Sequence, residues 1–366
     1  MSLAVFLPNW IGDVVMATPT LRAVRKLVGP DERIVGVMRP YVAEVLAGTP
    51  WLDAQLFYDP RSKNADLHSR ALVRKLRSEK LDTAVLLTNS LRTGVLARLS
   101  GAKRRVGYAR SFRSPLLTDK LTPQISGRTW YGAPRYTPGP VLDYYLELAY
   151  ALGASPESAQ LELAVSPAER AAAERTRQML GIPDDRPTIV FNSGGAFGAA
   201  KLWPNEYFAE LAKRLVARTD ASILMICGPN ERDTARDVVA QANHPRVVSL
   251  ADERLASQPL SIGLSKACVE RASLMVTTDS GPRHFAAAFN VPVVSLFGPT
   301  HIEWSENHQP EALHLQKKLP CGPCQQRNCP LGTHQCMRDL SVDEVERAAL
   351  KMLSRYAAEL PRKQTA

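Results

Sequence analysis

The stretch SLMVTTDSGPRHFAAAFNVPVVSLFG, residues 273–298, contains two short apolar runs on either side of an alanine-rich segment. The first run ends in a Thr-Thr-Asp-Ser-Gly turn, and Pro282 then presets the backbone for a first helical turn. The alanines at 286–288 allow that helix to pack closely on a sheet. The pattern therefore predicts a strand, a helix and a second, parallel strand, the repeating unit of a doubly wound α/β fold.

The same alternation recurs along both halves of the chain. Short apolar runs separated by stretches of helical length lie at 3–7, 33–37, 54–58, 82–87 and 104–108, and again at 187–192, 221–228, 246–250, 273–279 and 292–298. Residues 153–168 are rich in Pro, Ser and Ala, which is typical of a linker. We therefore predict α/β domains at 1–160 and 169–340, and a C-terminal helix and tail at 341–366.

Length and composition limit the class of protein. The chain has 366 residues, enough for two domains. Hydrophobic residues make up 45% and charged residues 22%, which excludes disordered, collagen-like and coiled-coil proteins. No apolar run approaches the roughly 18 residues of a membrane span. The first 15 residues lack the basic and purely apolar parts of a signal peptide, so we expect a cytoplasmic protein.

The net charge of +10 is concentrated in one part of the chain. Residues 61–135 contain 17 Lys and Arg against 4 Asp and Glu, and we call this stretch the basic segment. It predicts an anionic partner: nucleic acid, an anionic lipid surface or a phosphorylated molecule. Nucleic acid is disfavoured because no recognised motif is present and the aromatic residues are sparse, namely Tyr108, Phe112, Trp130 and Tyr131.

Two loops of the second half have the composition of nucleotide-binding loops. Ser193, Gly194 and other small residues follow the run at 187–192 and precede a single cation, Lys201. Such a loop binds phosphate through its backbone amides and the ammonium group, although a flexible connector with a solvated lysine has the same composition. Glu231 follows the run at 221–228, where a carboxylate either binds ribose hydroxyls or caps a helix.

The turn inside the opening stretch is the most informative loop. Asp279 is placed to bind sugar hydroxyls, and the helix start at Ser280 and Gly281 offers free amides to a diphosphate. His284 lies within one turn of that start and can face the same anion. Arg283, which precedes His284, either points into the site, where it could contact a substrate, or points outward as a solvated charge, the orientation that we expect.

The loop after the first predicted strand is Pro8-Asn9-Trp10-Ile11-Gly12-Asp13. Asp13 stands at the start of a helix, where it is either a helix-stabilising anion, the interpretation favoured by these residues alone, or a catalytic carboxylate. The G-x-G-x-x-G fingerprint of nicotinamide sites is missing, and so is the Walker pattern. Neither hydride transfer nor Walker-type ATP hydrolysis is indicated.

Four segments, in this order along the chain, resemble glycosyltransferase family nine, the bacterial heptosyltransferases of the lipopolysaccharide inner core. They are PNWIGDVVMATPTL, the loop ending in AAKLWP, the turn GPNERD, and TTDSGPRHFAAAFNVPVVSLFGPT. The resemblance extends over essentially the whole chain. The segments at 89–99 and 105–117 are more similar to the second heptosyltransferase branch than to the first, and a relative with another sugar acceptor remains the alternative.

The resemblance implies a GT-B fold, with two Rossmann-like doubly wound domains facing each other across a cleft. It also implies inverting transfer of L-glycero-D-manno-heptose from ADP-heptose to the heptosyl-Kdo-lipid A core, with no cofactor or metal required. Asp13 is then the general base, Lys201 neutralises the diphosphate and Glu231 binds the ribose. The remaining donor-site residues implied by the family are Ser193, Gly194, Asp279, Ser280, Gly281 and His284.

The basic segment then becomes the predicted acceptor-docking surface. We expect Arg104, Arg105 and Arg113 to bind the phosphates and Kdo carboxylates of the glycolipid at the inner-membrane surface.

A separate feature is the group Cys321, Cys324, Cys329 and Cys336, whose clustering suggests structural zinc more than disulfides in a cytoplasmic chain. Their irregular spacing favours reduced thiols, and we predict no bound metal.

Overall fold

The structure is a computed structural model that describes residues 2–130, 132–195 and 197–363, with the side chains of the last helix described through Arg355. Two compact units make up this chain. The first runs through Glu162 and includes Glu303–Asn307, and the second comprises Leu163–Ile302 and the residues from His308 onward. Each unit contains its own six-stranded parallel sheet, so the prediction of two doubly wound α/β units is confirmed.

The strands of the first unit's sheet lie in the order β3-β2-β1-β4-β5-β6. Its strands are β1 (Leu3–Phe6), β2 (Ile34–Met38), β3 (Ala54–Phe57), β4 (Thr83–Leu86), β5 (Arg104–Tyr108) and β6 (Asp119–Leu121). A separate antiparallel hairpin follows, formed by β7 (Ile125–Arg128) and β8 (Pro134–Tyr136). The helices are α1 (Ile11–Met16), α2 (Thr18–Val28), α3 (Ser69–Ser78), α4 (Leu91–Leu99) and α5 (Val141–Leu152).

The second unit repeats this arrangement with the order β11-β10-β9-β12-β13-β14. Its strands are β9 (Thr188–Asn192), β10 (Ser222–Met225), β11 (Val247–Ser249), β12 (Leu274–Thr278), β13 (Val293–Phe297) and β14 (Ala312–Gln316). Its helices are α6 (Pro167–Leu180), α7 (Asn205–Arg218), α8 (Arg232–Ala242), α9 (Ile262–Glu270), α10 (Arg283–Ala288), α11 (Gln335–Arg338) and α12 (Val342–Lys363).

Burial on both faces explains why the central strands are continuous apolar runs. Every residue of β1, β4, β9 and β12 is buried, as expected where crossover helices cover both sides of a parallel sheet. In the first unit, Phe6, Leu72, Leu86 and Leu96 meet in one core cluster. The order of strands reverses beside β1 and β9, and these points position the loops that carry the candidate site.

Local signals fix the ends of the helices around the connection between units. Gly153 ends α5 and Gly181 ends α6, both in the left-handed conformation with φ of 107° and 69°. Ser166 and Glu169 form a reciprocal capping box at the start of α6. The predicted linker therefore ends where the first helix of the second unit begins.

The C-terminal helix is part of the second unit's packing. Glu346 of α12 accepts from Arg214 at 3.4 Å and from Arg218 at 3.0 Å, both on α7. The Trp203 indole donates to the Leu340 carbonyl oxygen at 2.9 Å. Among the described helices, none combines the length and apolarity required to cross a bilayer.

Candidate active site

The loops after β9, β10 and β12 converge because these strands are neighbours in the second sheet. The hydroxyl of Thr278, at the end of β12, donates to the carbonyl oxygen of Gly194 at 2.5 Å. A Cβ atom built on Gly194 would lie 2.3 Å from the Glu231 carboxylate. Gly194 is therefore the point at which three predicted donor-site loops meet, and only glycine leaves room there for the carboxylate.

A backbone contact positions Glu231 within this group. The amide of Gly228 donates to Glu231 Oε2 at 2.8 Å, so the carboxylate folds back over the turn that leads into α8. Glu231 is half-buried beside Gly194. The structure shows the capping contact that the sequence suggested, and the ribose role of Glu231 stays a prediction.

Lys201 and Asp279 form the charged centre of the cluster. Lys201 Nζ lies 2.5 Å from Asp279 Oδ2 and 3.1 Å from its carbonyl oxygen, with side chains only 12% and 8% exposed. Thr300 donates to the same carboxylate at 2.6 Å. Burial opposes ionisation of Asp279, but Lys201, Arg283 and these hydrogen bonds outweigh it and lower the pKa of Asp279. The pair is a charged, hydrogen-bonded unit at neutral pH.

Ser280 is oriented by the neighbouring strand end. The side-chain amide of Asn192, the last residue of β9, donates to Ser280 Oγ at 2.7 Å and to Thr277 Oγ1 at 3.1 Å. Asn192 is a site residue that no sequence motif indicated, since it lies at the end of an apolar strand. Its amide connects β9 to the turn that carries Asp279.

His284 is buried in the short helix α10 and lies 3% exposed. Its backbone amide donates to the Gly281 carbonyl oxygen at 3.1 Å, which continues the tight turn. Burial, followed by the charges of Arg283, His314 and Lys201, lowers the pKa of His284 well below its ordinary value. The imidazole is therefore neutral at physiological pH.

The expectation of a solvated Arg283 is wrong. The side chain is 1% exposed, and its guanidinium lies 5.2 Å from the centroid of the Phe297 ring. Its charge also lowers the pKa of Asp279. The sequence placed this arginine between two site residues, but it contained no sign of the aromatic ring from β13 that covers it.

A second cation, which was not identified from sequence, lies beside the predicted phosphate-binding loop. The guanidinium of Arg327 lies 5.4 Å from the Phe197 ring centroid, and Lys201 Nζ lies 4.8 Å from the same ring. The Arg327 carbonyl oxygen accepts from the Ala200 amide at 3.0 Å, and a Cβ on Gly198 would lie 2.3 Å from that oxygen. The cysteine-bearing segment therefore packs on this loop, whose Ala196 lies outside the described residues.

Asp13 occupies the first turn of α1, directly after the loop that follows β1. The residue is half-buried. Burial, and next the charge of Asp13, raises the pKa of the Tyr145 phenol well above its ordinary value. Within the first unit, Asp13 thus lies at the carboxyl end of a central strand, where doubly wound sheets place functional groups.

The three predicted acceptor arginines have structural partners. Arg113 is fully buried, donates to the Tyr108 carbonyl oxygen at 2.9 Å and to Asn89 Oδ1 at 3.1 Å, and has a pKa lowered by burial to about 10. Arg105 is also buried and donates to the Leu116 and Ala102 carbonyl oxygens at 2.7 and 2.6 Å. Arg104 binds Asp119 at 2.8 Å. Burial of Arg105 and Arg113 is at odds with their predicted docking role, since both guanidiniums hold the end of the first sheet together. Arg104 is 40% exposed, and its role in docking stays a prediction.

The cysteines are free thiols, with Cys227 and Cys268 buried as expected and the other four more accessible. Burial raises the pKa of the Cys268 thiol to about 12, which makes it inert. Across residues 2–130, 132–195 and 197–363, no three His, Cys, Asp or Glu side chains are arranged to hold a metal ion. The zinc hypothesis for Cys321, Cys324, Cys329 and Cys336 therefore gains no support from the geometry.

Comparison with known proteins gives a consistent family. Residues 69–335 match glycosyltransferase family 9 (heptosyltransferase). The lipopolysaccharide heptosyltransferase 2 of Escherichia coli K12 is 25% identical over 358 residues, which cover 94% of this chain and 96% of the relative.

Two solved structures share the fold. The E. coli ADP-heptose LPS heptosyltransferase II aligns with a TM-score of 0.76 and 22% identity, over 97% of this chain and 99% of its own. A family 9 glycosyltransferase from Veillonella parvula DSM 2008 aligns with a TM-score of 0.78 and 23% identity, over 97% of both chains. These likenesses confirm the predicted GT-B class. Because the family match covers well over half of the 366 residues, the chain belongs to glycosyltransferase family 9, the heptosyltransferases.

Proposed function

We propose that this glycosyltransferase moves L-glycero-D-manno-heptose from ADP-heptose to the heptosyl-Kdo-lipid A inner core of lipopolysaccharide, with inversion at the anomeric carbon. Similarity to lipopolysaccharide heptosyltransferase 2 of E. coli supports the acceptor class. The observation that carries the donor assignment is the cluster in which Gly194 and Glu231 adjoin the buried Lys201–Asp279 pair. Such a group combines a ribose-binding carboxylate with charge for a diphosphate.

The donor roles follow from the chemistry of each group. Glu231 accepts hydrogen bonds from the ribose, and the backbone at Ser193 and Gly194 approaches the nucleotide. Lys201 neutralises the diphosphate. Since Asp279 compensates part of the Lys201 charge, the exposed Arg327 supplies a second cation beside the same aromatic ring.

The sugar and leaving group are bound by the turn after β12. Asp279 accepts from heptose hydroxyls, while Ser280, the Gly281 amide and the neutral imidazole of His284 form hydrogen bonds to the phosphates and sugar. Charge that develops on the departing ADP is stabilised by Lys201 and by these donors. This ordering of fixed dipoles around the diphosphate lowers the barrier to cleavage of the anomeric bond.

The transfer step requires a base. The acceptor hydroxyl oxygen attacks the anomeric carbon, the bond from that carbon to the diphosphate oxygen breaks, and ADP leaves with the bonding electrons. Asp13 takes the proton released by the hydroxyl. Support for this role comes from the position of Asp13 at the carboxyl end of β1 and its half-buried carboxylate.

Nucleic-acid binding is not favoured as an alternative. Tyr108 is 2% exposed and stacks on Tyr144 with ring centroids 3.5 Å apart, so it is not available to stack on a base. Tyr131 lies outside the described residues. The other two aromatic residues of the basic segment, Phe112 and Trp130, are exposed but lie far apart in the sequence, so they do not form a row on which successive bases could stack.

The test of the proposed function is incubation of the purified protein with ADP-heptose and a panel of truncated core glycolipids. We expect one added heptose, detected by mass spectrometry, on the core that carries a single heptose. Addition to the Kdo-only core would instead indicate the first-heptosyltransferase activity. ADP binding without transfer to any core would overturn the acceptor assignment.

A matched pair of glycine variants tests the donor site. In Gly194→Ala, the new methyl group displaces the Glu231 carboxylate, and we expect ADP affinity to fall by about tenfold, or about 1.4 kcal/mol. In Gly195→Ala, the methyl group meets Leu202 and Lys201 side chains at ordinary distances of 3.4 and 3.5 Å. Isothermal titration calorimetry with ADP should therefore find this control near wild type. Equal affinities for both variants would contradict the ribose role of Glu231.

A further inference from the structure

Helix α4 has an apolar and cationic outer face. Leu91, Val95 and Leu99 are exposed at a spacing of four residues, which places them on one stripe, and Arg92 and Arg98 lie between them, also exposed. The opposite face, with Leu96 and Ala97, is buried in the core of the first unit. A helix on a protein surface normally presents polar residues outward, so apolar residues on both faces indicate a partner for the outer one.

The loop after β5 presents an exposed aromatic side chain at an energetic cost. Ser111 and Phe112 both adopt the left-handed conformation, with φ of 52° and 59°, which L-residues disfavour. The Phe112 side chain is 94% exposed, so burial does not offset this strain. Strain retained at an exposed position is typical of a segment that serves a binding partner.

The β7–β8 hairpin presents a second such side chain. Trp130 is 95% exposed at the hairpin tip. On either side of Tyr131, which lies outside the described residues, the Thr129 amide donates to the Ala133 carbonyl oxygen at 2.8 Å and the Gly132 amide to the Thr129 carbonyl oxygen at 2.9 Å. Ile125, at the start of β7, is 48% exposed. The hairpin therefore exposes two large apolar side chains to solvent.

Contacts connect these three segments in series. A Cβ on Gly94 of α4 would lie 3.1 Å from Leu116, which places the helix against the end of the 110–116 loop. At the start of that loop, the guanidinium of Arg110 lies 3.5 Å from the centroid of the Tyr136 ring in β8. Helix α4, the 110–116 loop and the hairpin thus adjoin one another, and we call them together the aromatic–basic surface.

The charge of this part of the chain is almost entirely positive. Between Thr83 and Leu142 there are ten Lys and Arg residues and a single acidic residue, Asp119, whose carboxylate binds Arg104. The exposed cations of the aromatic–basic surface and its edge are Arg92, Arg98, Lys120, Arg128 and Arg135. Aromatic rings at the level of the headgroups, with cations around them, are the combination by which proteins bind an anionic bilayer surface.

We propose that the aromatic–basic surface docks on an anionic phospholipid bilayer, with Phe112, Trp130 and the apolar stripe of α4 inserted among the headgroups. The arginines and lysines bind lipid phosphates, and the protein lies on the membrane without crossing it. The residues of this surface all belong to the first unit, whereas the proposed donor-site residues belong to the second. It goes beyond the proposed function, because lipid binding here requires neither ADP-heptose nor the glycolipid.

Vesicle co-sedimentation of the full-length protein tests the proposal. We expect binding to phosphatidylcholine vesicles that contain about a quarter phosphatidylglycerol, and much weaker binding to phosphatidylcholine alone. The double variant Phe112→Ala/Trp130→Ala should bind the anionic vesicles at least about tenfold more weakly. The matched control Leu27→Ala, which removes an exposed apolar side chain from α2, should bind like wild type. ADP affinity, measured in parallel, should be equal in all three proteins.

Two further readouts separate the outcomes. Brominated lipids should quench wild-type tryptophan fluorescence and lose most of that effect in Trp130→Phe, whose ADP affinity confirms that it is folded. Raising the salt from about 0.05 M to about 0.5 M should release the protein. Absence of wild-type binding, or equal binding by the double variant, would overturn the proposal. A dimer that the double variant abolishes, in a protein that binds no vesicles, would make this face a subunit interface and overturn it as well.

Discussion

Replacing Asp13 by Asn should lower the rate of heptose transfer by about 10²- to 10⁴-fold, the range that a positioned general base contributes. The amide has nearly the same shape as the carboxylate but cannot accept the hydroxyl proton. ADP affinity should stay within about twofold of wild type, since the proposed nucleotide contacts come from other residues. Single-turnover transfer, followed by mass spectrometry, and calorimetric titration with ADP measure the two quantities.

The control for this variant is Asp31→Asn, which removes an exposed carboxylate from the loop between α2 and β2. It should transfer heptose at the wild-type rate. Full turnover by Asp13→Asn would remove the base assignment and return Asp13 to the role of a helix-stabilising anion in α1. If Asp13→Asn lost both heptose transfer and thermal stability, Asp13 would have a structural role.

The strands predicted from sequence are mostly buried, and the half-buried edge strand β3 is the exception. The runs at 3–7 and 187–192 become β1 and β9, because a central parallel strand needs apolar side chains on both sides. The sequence analysis missed β6 and β14, which lie at the sheet edges and are only half-buried. It also missed the β7–β8 hairpin, whose exposed residues lack the alternation that indicates a strand.

The site could be predicted where a loop motif carries it. Gly194, Lys201, Glu231 and Asp279 became candidates because they lie in loops after apolar strands, and the family resemblance implied their roles. The structure shows that these loops meet, because the carboxyl ends of neighbouring strands lie together. The sequence of those loops did not indicate which side chains or backbone groups each of these residues contacts. Asn192 lies within a strand pattern and binds Ser280 only because β9 and β12 are adjacent.

Arginine was the least predictable residue type. Arg113 resembled an anion ligand in a basic sequence, yet its guanidinium is buried against carbonyl oxygens from other loops. Arg283 was expected in solvent and lies against Phe297. The fate of a long cationic side chain depends on tertiary partners distant in sequence, and composition alone contains no information on them.

A double-mutant cycle on the Lys201–Asp279 pair should give a large coupling in stability. Lys201→Met and Asp279→Asn each leave a mostly buried charge without its counter-ion, and we expect each to destabilise the protein by about 3–5 kcal/mol. The double variant should be destabilised by less than the sum, with a coupling of about 2 kcal/mol. Urea unfolding, followed by circular dichroism, measures the three differences. Additive losses would mean that the two groups do not interact in solution.

The same pair predicts a particular dependence on pH. The pKa of Asp279 is lower in the folded protein than in the unfolded chain, where it is about 3.9. The stabilisation from its carboxylate is therefore present above that value and is lost as the pH falls through the folded pKa. Asp279→Asn should show a flatter loss of stability below about pH 4 than wild type.

ADP affinity of Lys201→Met should fall by at least about tenfold at neutral pH, because the proposed diphosphate ligand is gone. If ADP affinity stayed unchanged while stability fell, the pair would be structural alone, and the diphosphate charge would have to be met by Arg327.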